Sequence, residues 1–592
     1  MSGIKNYNKT IFQSLYWAYK PFLGRIFFVL LMGFIGRGML LYNANLIGHW
    51  ADTVAASPVT NIPANTRSNE QYMKIIFSLV GIGFLFTMSF RVIFSRLSAE
   101  AISRIYDETT LRTSRFPMGF FDKTPVGRVL TRFTSDYGNV FRLFGGPLAE
   151  FCSIIFDLIM MIILMSLANP LFLPIIVLMG ITYGSIYRLN LPRLRQARRE
   201  LSSARSPSIA HFAETAQGAS IIRLFQKQNS FLDRFLSLDQ FFINKKYHTS
   251  KTLTSFGIQM NGVSALFLFL TGGIAYVVKD SGLFTLGSIG IAFTFITMSS
   301  NTVQMFFDWL SQFEEAMVSL ERLDRYLRSP LEFGAHLPRQ AEFQTGHSLS
   351  PDHPAFKPEL PAARVRFENV SFRYNENLPW ILKDISFDIQ PGECIGVIGR
   401  TGSGKSSLIQ ALFQFYPVEK GSIEISGQSP AKNCDLTSYR KNIAFISQDP
   451  ILFKGSLSMN LDMTGRADAR AMNHALIQVG LNHLVDQLNF RIEEKGKNLS
   501  LGERQLICLA RCLLQASPLV IMDEATSSVD PLSEEKMNQA THDFFHDRTR
   551  ILIAHRPTTL ERCDRILWLD QGSIRMFGQP TEVISAFEKN GL

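Results

Sequence analysis

The chain has 592 residues, 46% hydrophobic and 19% charged, with 49 Phe and a net charge of +10; its mean hydropathy is +0.08. This composition excludes a small disulfide scaffold, a disordered chain and a fibrous repeat, and it leaves room for about four domain-sized units. Long apolar runs stop near residue 310 and an ordinary soluble pattern starts near 364, which predicts a membrane part followed by a soluble part.

Residues 1–20 lack the basic-then-apolar pattern of a cleaved leader, so none is expected. Ile11-Phe-Gln-Ser-Leu-Tyr-Trp-Ala-Tyr-Lys20 is aromatic and amphipathic, as suits a helix lying in the membrane interface. Six stretches are apolar over the ~20 residues a spanning helix needs: 22–47, 75–95, 147–168, 170–190, 255–279 and 285–306. Asn169-Pro170 and Lys279-Asp-Ser-Gly282 are tight turns, and a polar stretch of about 27 residues, 48–74, joins the first two spans. The two remaining connections are long and keep a helical apolar period, so the spanning helices are expected to continue into the cytoplasm.

The charge sits in those long connections. Residues 96–142 hold eight Lys or Arg, and residues 188–251 hold twelve against four acids. The positive-inside rule places both loops and both termini in the cytoplasm. A nucleic-acid partner would need this charge on one soluble face, so none is expected. The six cysteines show no paired metal-ligand spacing and read as free thiols in a reducing compartment.

Ionisable groups inside spans are costly and need a partner or water. Arg37 and Asp157 fall near mid-membrane, Arg91 and Asp308 nearer the cytoplasmic side. With Gln304 on the last span, Arg37, Asp157 and Asp308 form a candidate substrate path. Pairing of the charges to hold the bundle together is the alternative, and Gln259, Asn261 and Asn301 suit helix–helix hydrogen bonds equally well.

Residues 329–363 are rich in Pro, Ser and His and read as a linker. Residues 364–374 alternate like a half-buried strand. Glu393-Cys-Ile-Gly-Val-Ile398 suits a buried strand and runs into Gly399-Arg400-Thr401-Gly402-Ser403-Gly404-Lys405-Ser406, followed at Ser407 by an amphipathic helix. This is the phosphate-binding loop in its required strand–loop–helix setting. Backbone N–H groups and the helix N-terminus face phosphate oxygens, Lys405 reaches the β- and γ-phosphates, and the Ser406 hydroxyl ligates Mg²⁺. A second apolar strand, 519–522, ends in Asp523-Glu524: Asp523 suits Mg²⁺ through its water shell, and Glu524 suits the attacking water. A third, 551–554, ends in His555, placed to contact the γ-phosphate. All three strand ends should meet at one edge of a parallel sheet.

With those residues in place, Asn498-Leu-Ser500-Leu501-Gly502-Glu503-Arg-Gln505 resembles the signature sequence of ATP-binding-cassette transporters. Six spans before one cassette resemble a half-transporter of the exporter type, over essentially the whole chain. Leu499-Ser-Leu-Gly-Glu-Arg-Gln-Leu-Ile-Cys-Leu-Ala-Arg511 is most similar to the multidrug-resistance-associated branch. The resemblance implies an all-α six-helix transmembrane domain (1–328), the linker (329–363) and an α/β P-loop nucleotide-binding domain (364–592). It implies that Tyr374 stacks on adenine and that Gln448 ligates Mg²⁺ and senses the membrane domain. Glu494 and Gly496 lie where such exporters have their cross-talk loop, and Ser528-Val-Asp530 where the loop coupling the two sites lies. Ser500 and Gly502 would contact the γ-phosphate of ATP bound to a partner chain, so one chain cannot complete a site. Phe120-Phe-Asp-Lys-Thr-Pro-Val-Gly-Arg128 and Phe212-Ala-Glu-Thr-Ala-Gln-Gly218 resemble the two loops whose short helices dock on cassettes.

The commonest family signature has Gly and Gln where this chain has Leu501 and Glu503. Active members of the resembled branch carry such variants, so competence is expected. The implied activity is ATP-driven export of a drug, lipid or peptide by alternating access, with Glu524 and His555 hydrolysing ATP. A homodimer or a heterodimer with a second half-transporter would supply twelve spans. The expected setting is a multi-pass protein of a bacterial inner membrane with the cassette in the cytoplasm. A nucleotide-gated channel or regulatory subunit is the alternative, which loss of Glu524 or His555 would have favoured.

Overall fold

The structure is a computed structural model describing residues 12–56, 69–277, 283–332, 355–358, 360–429, 434–523, 541, 543–554 and 560–591. It divides into two units: residues 1–110 with 129–327, and residues 111–128 with 328–592.

Among the described residues, six helical stretches are long and apolar enough to cross a bilayer: Phe12–Val54, Asn69–Thr113, Val126–Ala168, Pro170–Gln217, Gln228–Val277 and Leu286–Arg328. Each has 43 to 50 residues, so at ~1.5 Å per residue each far exceeds a hydrocarbon core of about 30 Å. The first connection is shorter than the polar stretch suggested, because the helix Leu23–Ala56 runs on past residue 48. Its polar residues find partners there: Trp50 Nε1 donates to Asn69 Oδ1 at 2.9 Å, and Asp52 Oδ1 accepts from Gly287 N at 2.6 Å. The Asn169 side chain accepts from Leu171 N at 3.0 Å and caps the expected tight turn into the fourth stretch. The turn at 279–282 lies outside the described residues.

The N-terminal segment packs one face and exposes the other. Ser14 and Ala18 are buried, and the Ser14 hydroxyl donates to Asp324. Phe12 and Tyr16 on the opposite side are 57% and 58% exposed, as an interfacial helix requires. The first and sixth stretches approach too closely for side chains: a Cβ on Gly287 would lie 2.1 Å from Gly48 O. Small residues serve the same purpose in membrane bundles generally. Phe27, Phe28, Phe77, Leu85, Ile181 and Phe269 are 61–79% exposed, an apolar surface suited to lipid.

The intramembrane charges close on one another. Arg37 Nε donates to Asp157 Oδ1 at 2.8 Å, and the two side chains are 25% and 13% exposed. Arg91 lies 3.2 Å from Glu150, and Arg198 3.3 Å from Asp308. Gln304 lies against the fifth stretch at Gly257, its amide nitrogen 3.1 Å from where a Cβ would stand. Asn190 donates to Gln259 at 2.8 Å and Ser300 to Asn261 at 2.6 Å, so these two polar positions serve helix–helix contacts.

Among the described residues, the second unit holds three sheets. Strands β1 (Val365–Phe372), β2 (Leu382–Ile389) and β4 (Lys420–Ile425) form an antiparallel sheet in the order β2-β1-β4. A six-stranded sheet runs β11-β10-β3-β9-β8-β5, from β3 (Cys394–Ile398), β5 (Ile443–Ile446), β8 (Leu519–Asp523), β9 (Thr549–Ile553), β10 (Arg565–Asp570) and β11 (Ser573–Gly578). Only its β10–β11 pairing is antiparallel. β6 (Gly455–Ser456) pairs with β7 (Arg491–Ile492). β3 is buried at every residue, and such unbroken apolar strands are what a parallel sheet covered on both faces demands. One face carries a core containing Leu408, Ile409, Leu519 and Ile521, the other a core containing Val520, Met522, Leu506 and Leu509. Packing begins ahead of residue 364: Phe356 is 5% exposed, lies edge-on to Tyr439, and donates its N–H to Ser438 Oγ at 2.7 Å.

Removing one member of a half-buried ion pair within the bundle strands the other charge. Arg37→Ala or Asp157→Ala is expected to cost about 3 kcal/mol, whereas the double change Arg37→Met with Asp157→Leu recovers most of it. Heat-induced unfolding in lipid nanodiscs, followed by circular dichroism, checks this; single variants as stable as the parent would remove the structural role.

Candidate functional site

β3, β9 and β8 are neighbours and parallel, so the loops following them leave from the same edge of the sheet. The loop after β3 is shaped by glycines where no other residue fits. Gly402 and Gly404 have φ of +84° and +107°, which other L-residues resist. A Cβ on Gly399 would lie 2.4 Å from Leu569 O. Gly404 leads into the helix Lys405–Leu412.

Lys405 is 7% exposed, and its ammonium donates to Gly399 O at 2.6 Å and Arg400 O at 3.3 Å. Ser403 Oγ is buried without a hydrogen-bond partner among the described residues. A buried cation, an orphaned hydroxyl and a helix N-terminus form a cradle that fits a polyphosphate. Ser406 is exposed at the start of the helix, while Ser407 is buried and shares a 3.0 Å hydrogen bond with the Tyr374 hydroxyl. Tyr374 lies edge-on to Tyr416, ring centroids 4.9 Å apart. Thr401 and Gly402 are exposed at the loop's tip.

Gln448 is exposed, and its backbone oxygen accepts from Gln505 Nε2 at 3.5 Å. Ser406, Gln448 and Asp523 offer hydroxyl, amide and carboxylate oxygens, a donor set that fits Mg²⁺. Glu524, Asp530 and His555 lie outside the described residues.

Ser500 caps the helix Leu501–Gln515. Its Oγ accepts from Glu503 N at 3.2 Å, while Glu503 Oε2 accepts from Ser500 N and from Ser500 Oγ, both at 2.8 Å. This capping box satisfies two helix-end donors reciprocally. The other carboxylate oxygen, Oε1, lies 2.9 Å from His483 Nε2. Leu501 and Gly502 form the first turn, half-buried. Before it, Lys495 and Gly496 turn the chain with φ of 58° and 68°.

The tip of the first long loop belongs to the same unit as the cassette. Its helix Met118–Lys123 brings Gly119 close enough that a Cβ there would touch the Tyr416 ring at 3.4 Å. Phe116 is buried and meets Phe120 edge-on at 4.7 Å. The cross-brace here is Arg440, which no motif announced. It donates to both carboxylate oxygens of Glu332 (2.8 and 3.0 Å), to Phe413 O and Gln414 O (each 2.8 Å), and lies over the Phe415 ring. Glu332 N in turn donates to Arg115 O at 2.9 Å. The stretch read as linker is therefore fixed at Glu332. Arg440 was missed because its partners lie 26 to 108 positions away.

Residues 382–527 match the family model described as ABC transporter, and residues 26–305 match ABC transporter transmembrane region. The chain is 28% identical over 579 residues to ABC transporter C family member 3 of Dictyostelium discoideum, covering 96% of this chain and 40% of that protein. It is 30% identical over 596 residues to human ATP-binding cassette sub-family C member 2, covering 96% and 36%. The chain thus spans about two fifths or less of these relatives' lengths. A solved structure described as a bacterial Atm1-family ABC exporter with ATP bound superposes with a TM-score of 0.76 at 20% identity, covering 97% of both chains, which establishes the fold. Both named relatives are eukaryotic, so they lend no support to the bacterial inner membrane expected above.

Arg440→Ala is expected to destabilise the cassette by about 2–4 kcal/mol, since it removes charge-assisted hydrogen bonds and leaves carbonyls unpaired. Arg440→Lys should recover little, because an ammonium cannot reproduce the planar fork. Thermal unfolding of the full chain checks both.

Proposed function

The chain belongs to the ATP-binding-cassette transporter family, and on that premise we propose that it works as an ATP-driven exporter of amphipathic drugs, lipids or peptides. The observation that carries the proposal is the phosphate cradle, Lys405 buried beside an orphaned Ser403 hydroxyl, in one chain with six spanning helices.

In this reading Tyr374 stacks on adenine, the backbone of residues 399–404 wraps the phosphates, and Lys405 leaves its carbonyl partners for the β- and γ-phosphates. Ser406, Gln448 and, through water, Asp523 would hold Mg²⁺, which would supply neutralisation of charge on the phosphate oxygens. Glu524 orients and deprotonates the attacking water, and His555 contacts the γ-phosphate as ADP and phosphate separate. Ser500, Leu501, Gly502 and Glu503 face the nucleotide of a partner chain, and Asp530 links the two sites. Retention of Glu524 and His555 favours transport over a channel or regulatory role.

A second half-transporter, identical or different, completes the sites. The second long loop supports this: Phe212, Ile221, Leu224 and Phe225 are 62–77% exposed, and Phe212 with Phe231, Leu232 and Phe235 lines a cavity of about 370 Å³, a surface that needs cover. Arg37, Asp157 and Asp308 serve the bundle through their ion pairs, and of the candidate path only Gln304 is proposed to meet substrate. The excess basic charge of the long loops supports a cytoplasmic cassette.

The test is ATP turnover by the purified full chain in lipid nanodiscs, with particle mass recorded. Glu524→Gln is expected to bind ATP but lose about 100-fold or more in turnover, and Lys405→Ala to weaken ATP binding about tenfold or more. Unchanged hydrolysis by Glu524→Gln would sink the assignment. Dimer-sized active particles would establish a homodimer, and inactive ones a need for a different partner chain.

A further inference from the structure

Two of the six cysteines stand side by side, and the ATPase reading uses neither. Cys394 opens β3, and Cys563 lies just ahead of β10, the parallel neighbour of β3. Their sulfurs are 3.6 Å apart, and the two residues are 4% and 6% exposed. The backbone fixes this juxtaposition from both sides: Cys394 N donates to Asp564 Oδ2 and Asp564 N to Cys394 O, each at 2.8 Å. Gly396 on β3 makes the room. A Cβ there would lie 3.3 Å from the Cys563 sulfur and 3.1 Å from the Leu560 side chain. Cys563 is flanked in the chain by exposed Arg562 and Asp564, so a small local opening admits a water-sized oxidant.

Arg550, the residue of β9 in register with Cys394, brings the charge that suits a thiolate. Its Nε is buried and has no hydrogen-bond partner among the described residues. Glu393, the nearest acid on β3's approach, is occupied: its Oε2 accepts from Arg565 Nη2 at 2.7 Å. The hydrogen bond from Cys563 and the charge of Arg550 hold the Cys394 thiol below the ordinary thiol range, against its burial and the charges of Asp564 and Glu393. Sharing that bond, together with burial, pushes Cys563 up. The remaining cassette thiols lack such help: burial raises Cys508, and pushes Cys434 up to about 11 and Cys512 up to about 12. The thiolate is the nucleophile, so Cys394 is prepared to attack and Cys563 stands within reach to resolve.

We propose that Cys394 and Cys563 form a reversible redox site, a dithiol that a peroxide converts to a disulfide and a dithiol reductant restores. The Cys394 thiolate attacks a peroxide oxygen: an S–O bond forms, the O–O bond breaks, and the departing hydroxide leaves as water with the proton the thiol had shed. Cys563 then attacks the Cys394 sulfenic acid: the S–S bond forms, the S–O bond breaks, and the second hydroxide leaves as water with the Cys563 proton. The two sulfurs together lose two electrons, and the peroxide gains them. To reach a bond of ~2.05 Å the sulfurs close by roughly 1.5 Å. In a reducing compartment the dithiol is the resting state and the bond is transient. The inference goes beyond the ATPase reading and does not rest on it.

The experiment treats the full chain in lipid nanodiscs with hydrogen peroxide, then unfolds it, alkylates the remaining thiols and maps the peptides by mass spectrometry. The expected result is a pair of peptides joined through Cys394 and Cys563, formed roughly tenfold faster or more than any oxidation at Cys434, Cys508 or Cys512 and released by dithiothreitol. In Cys563→Ser, dimedone should trap a sulfenic acid at Cys394; in Cys394→Ser it should trap none at Cys563. Peroxide that oxidises added glutathione completely yet leaves the pair as thiols overturns the proposal. So does oxidation of the other cassette thiols at an equal rate, or trapping at Cys563 in place of Cys394. Mapping of the parent chain decides the outcome even where a serine variant fails to fold. Failure of the ATPase reading appears separately, as turnover insensitive to Glu524→Gln, and leaves the peptide map unchanged.

Discussion

A buried ammonium cannot stand without oxygen partners, and that requirement shapes the cassette. Lys405 is nearly enclosed and rests on the carbonyls of Gly399 and Arg400, two acceptors of the loop that hold it in place of an anion. The glycines follow from this. Gly399 admits the carbonyl of Leu569, while Gly402 and Gly404 adopt a left-handed backbone. The parallel order β3-β9-β8 then brings the ends of the other two strands to the same edge.

The same requirement governs the membrane part. Low dielectric punishes an isolated charge, and Arg37 with Asp157, Arg91 with Glu150 and Arg198 with Asp308 answer it in pairs. These pairs tie different spanning stretches together. They leave exposed apolar faces to lipid, and the amides of Asn190, Gln259 and Asn261 to helix contacts.

Much of this was legible in the chain itself. The spans show because apolar length alone meets the bilayer's thickness, and the phosphate loop shows because its spacing and its strand–loop–helix setting coincide. What stayed hidden is long-range pairing. Arg37 and Asp157 were visible as charges, but not as partners 120 positions apart. Glu332 and Arg440 carried no signal, since a Glu in a polar stretch and an Arg on a short helix have solvated counterparts everywhere. Phe356, alone among Pro and Ser, gave no periodicity to mark it as core. The interfacial segment was read from its aromatic face, while its buried face, Ser14 and Ala18, was indistinguishable from spacing residues. Glu524, Asp530 and His555 lie outside the described residues, so their roles rest on sequence.

The cassette's unit is discontinuous: residues 111–128 are part of it, and its main body resumes only at residue 328. A ribosome delivers that segment long before Tyr416 or Arg440 exists to receive it. Phe116, whose side chain ends up buried, must wait through the synthesis of four further spans. Closing so long a loop makes the docking of the first cytoplasmic tip a late step of biogenesis, and a cassette excised at residue 328 would lack a piece of its own interior.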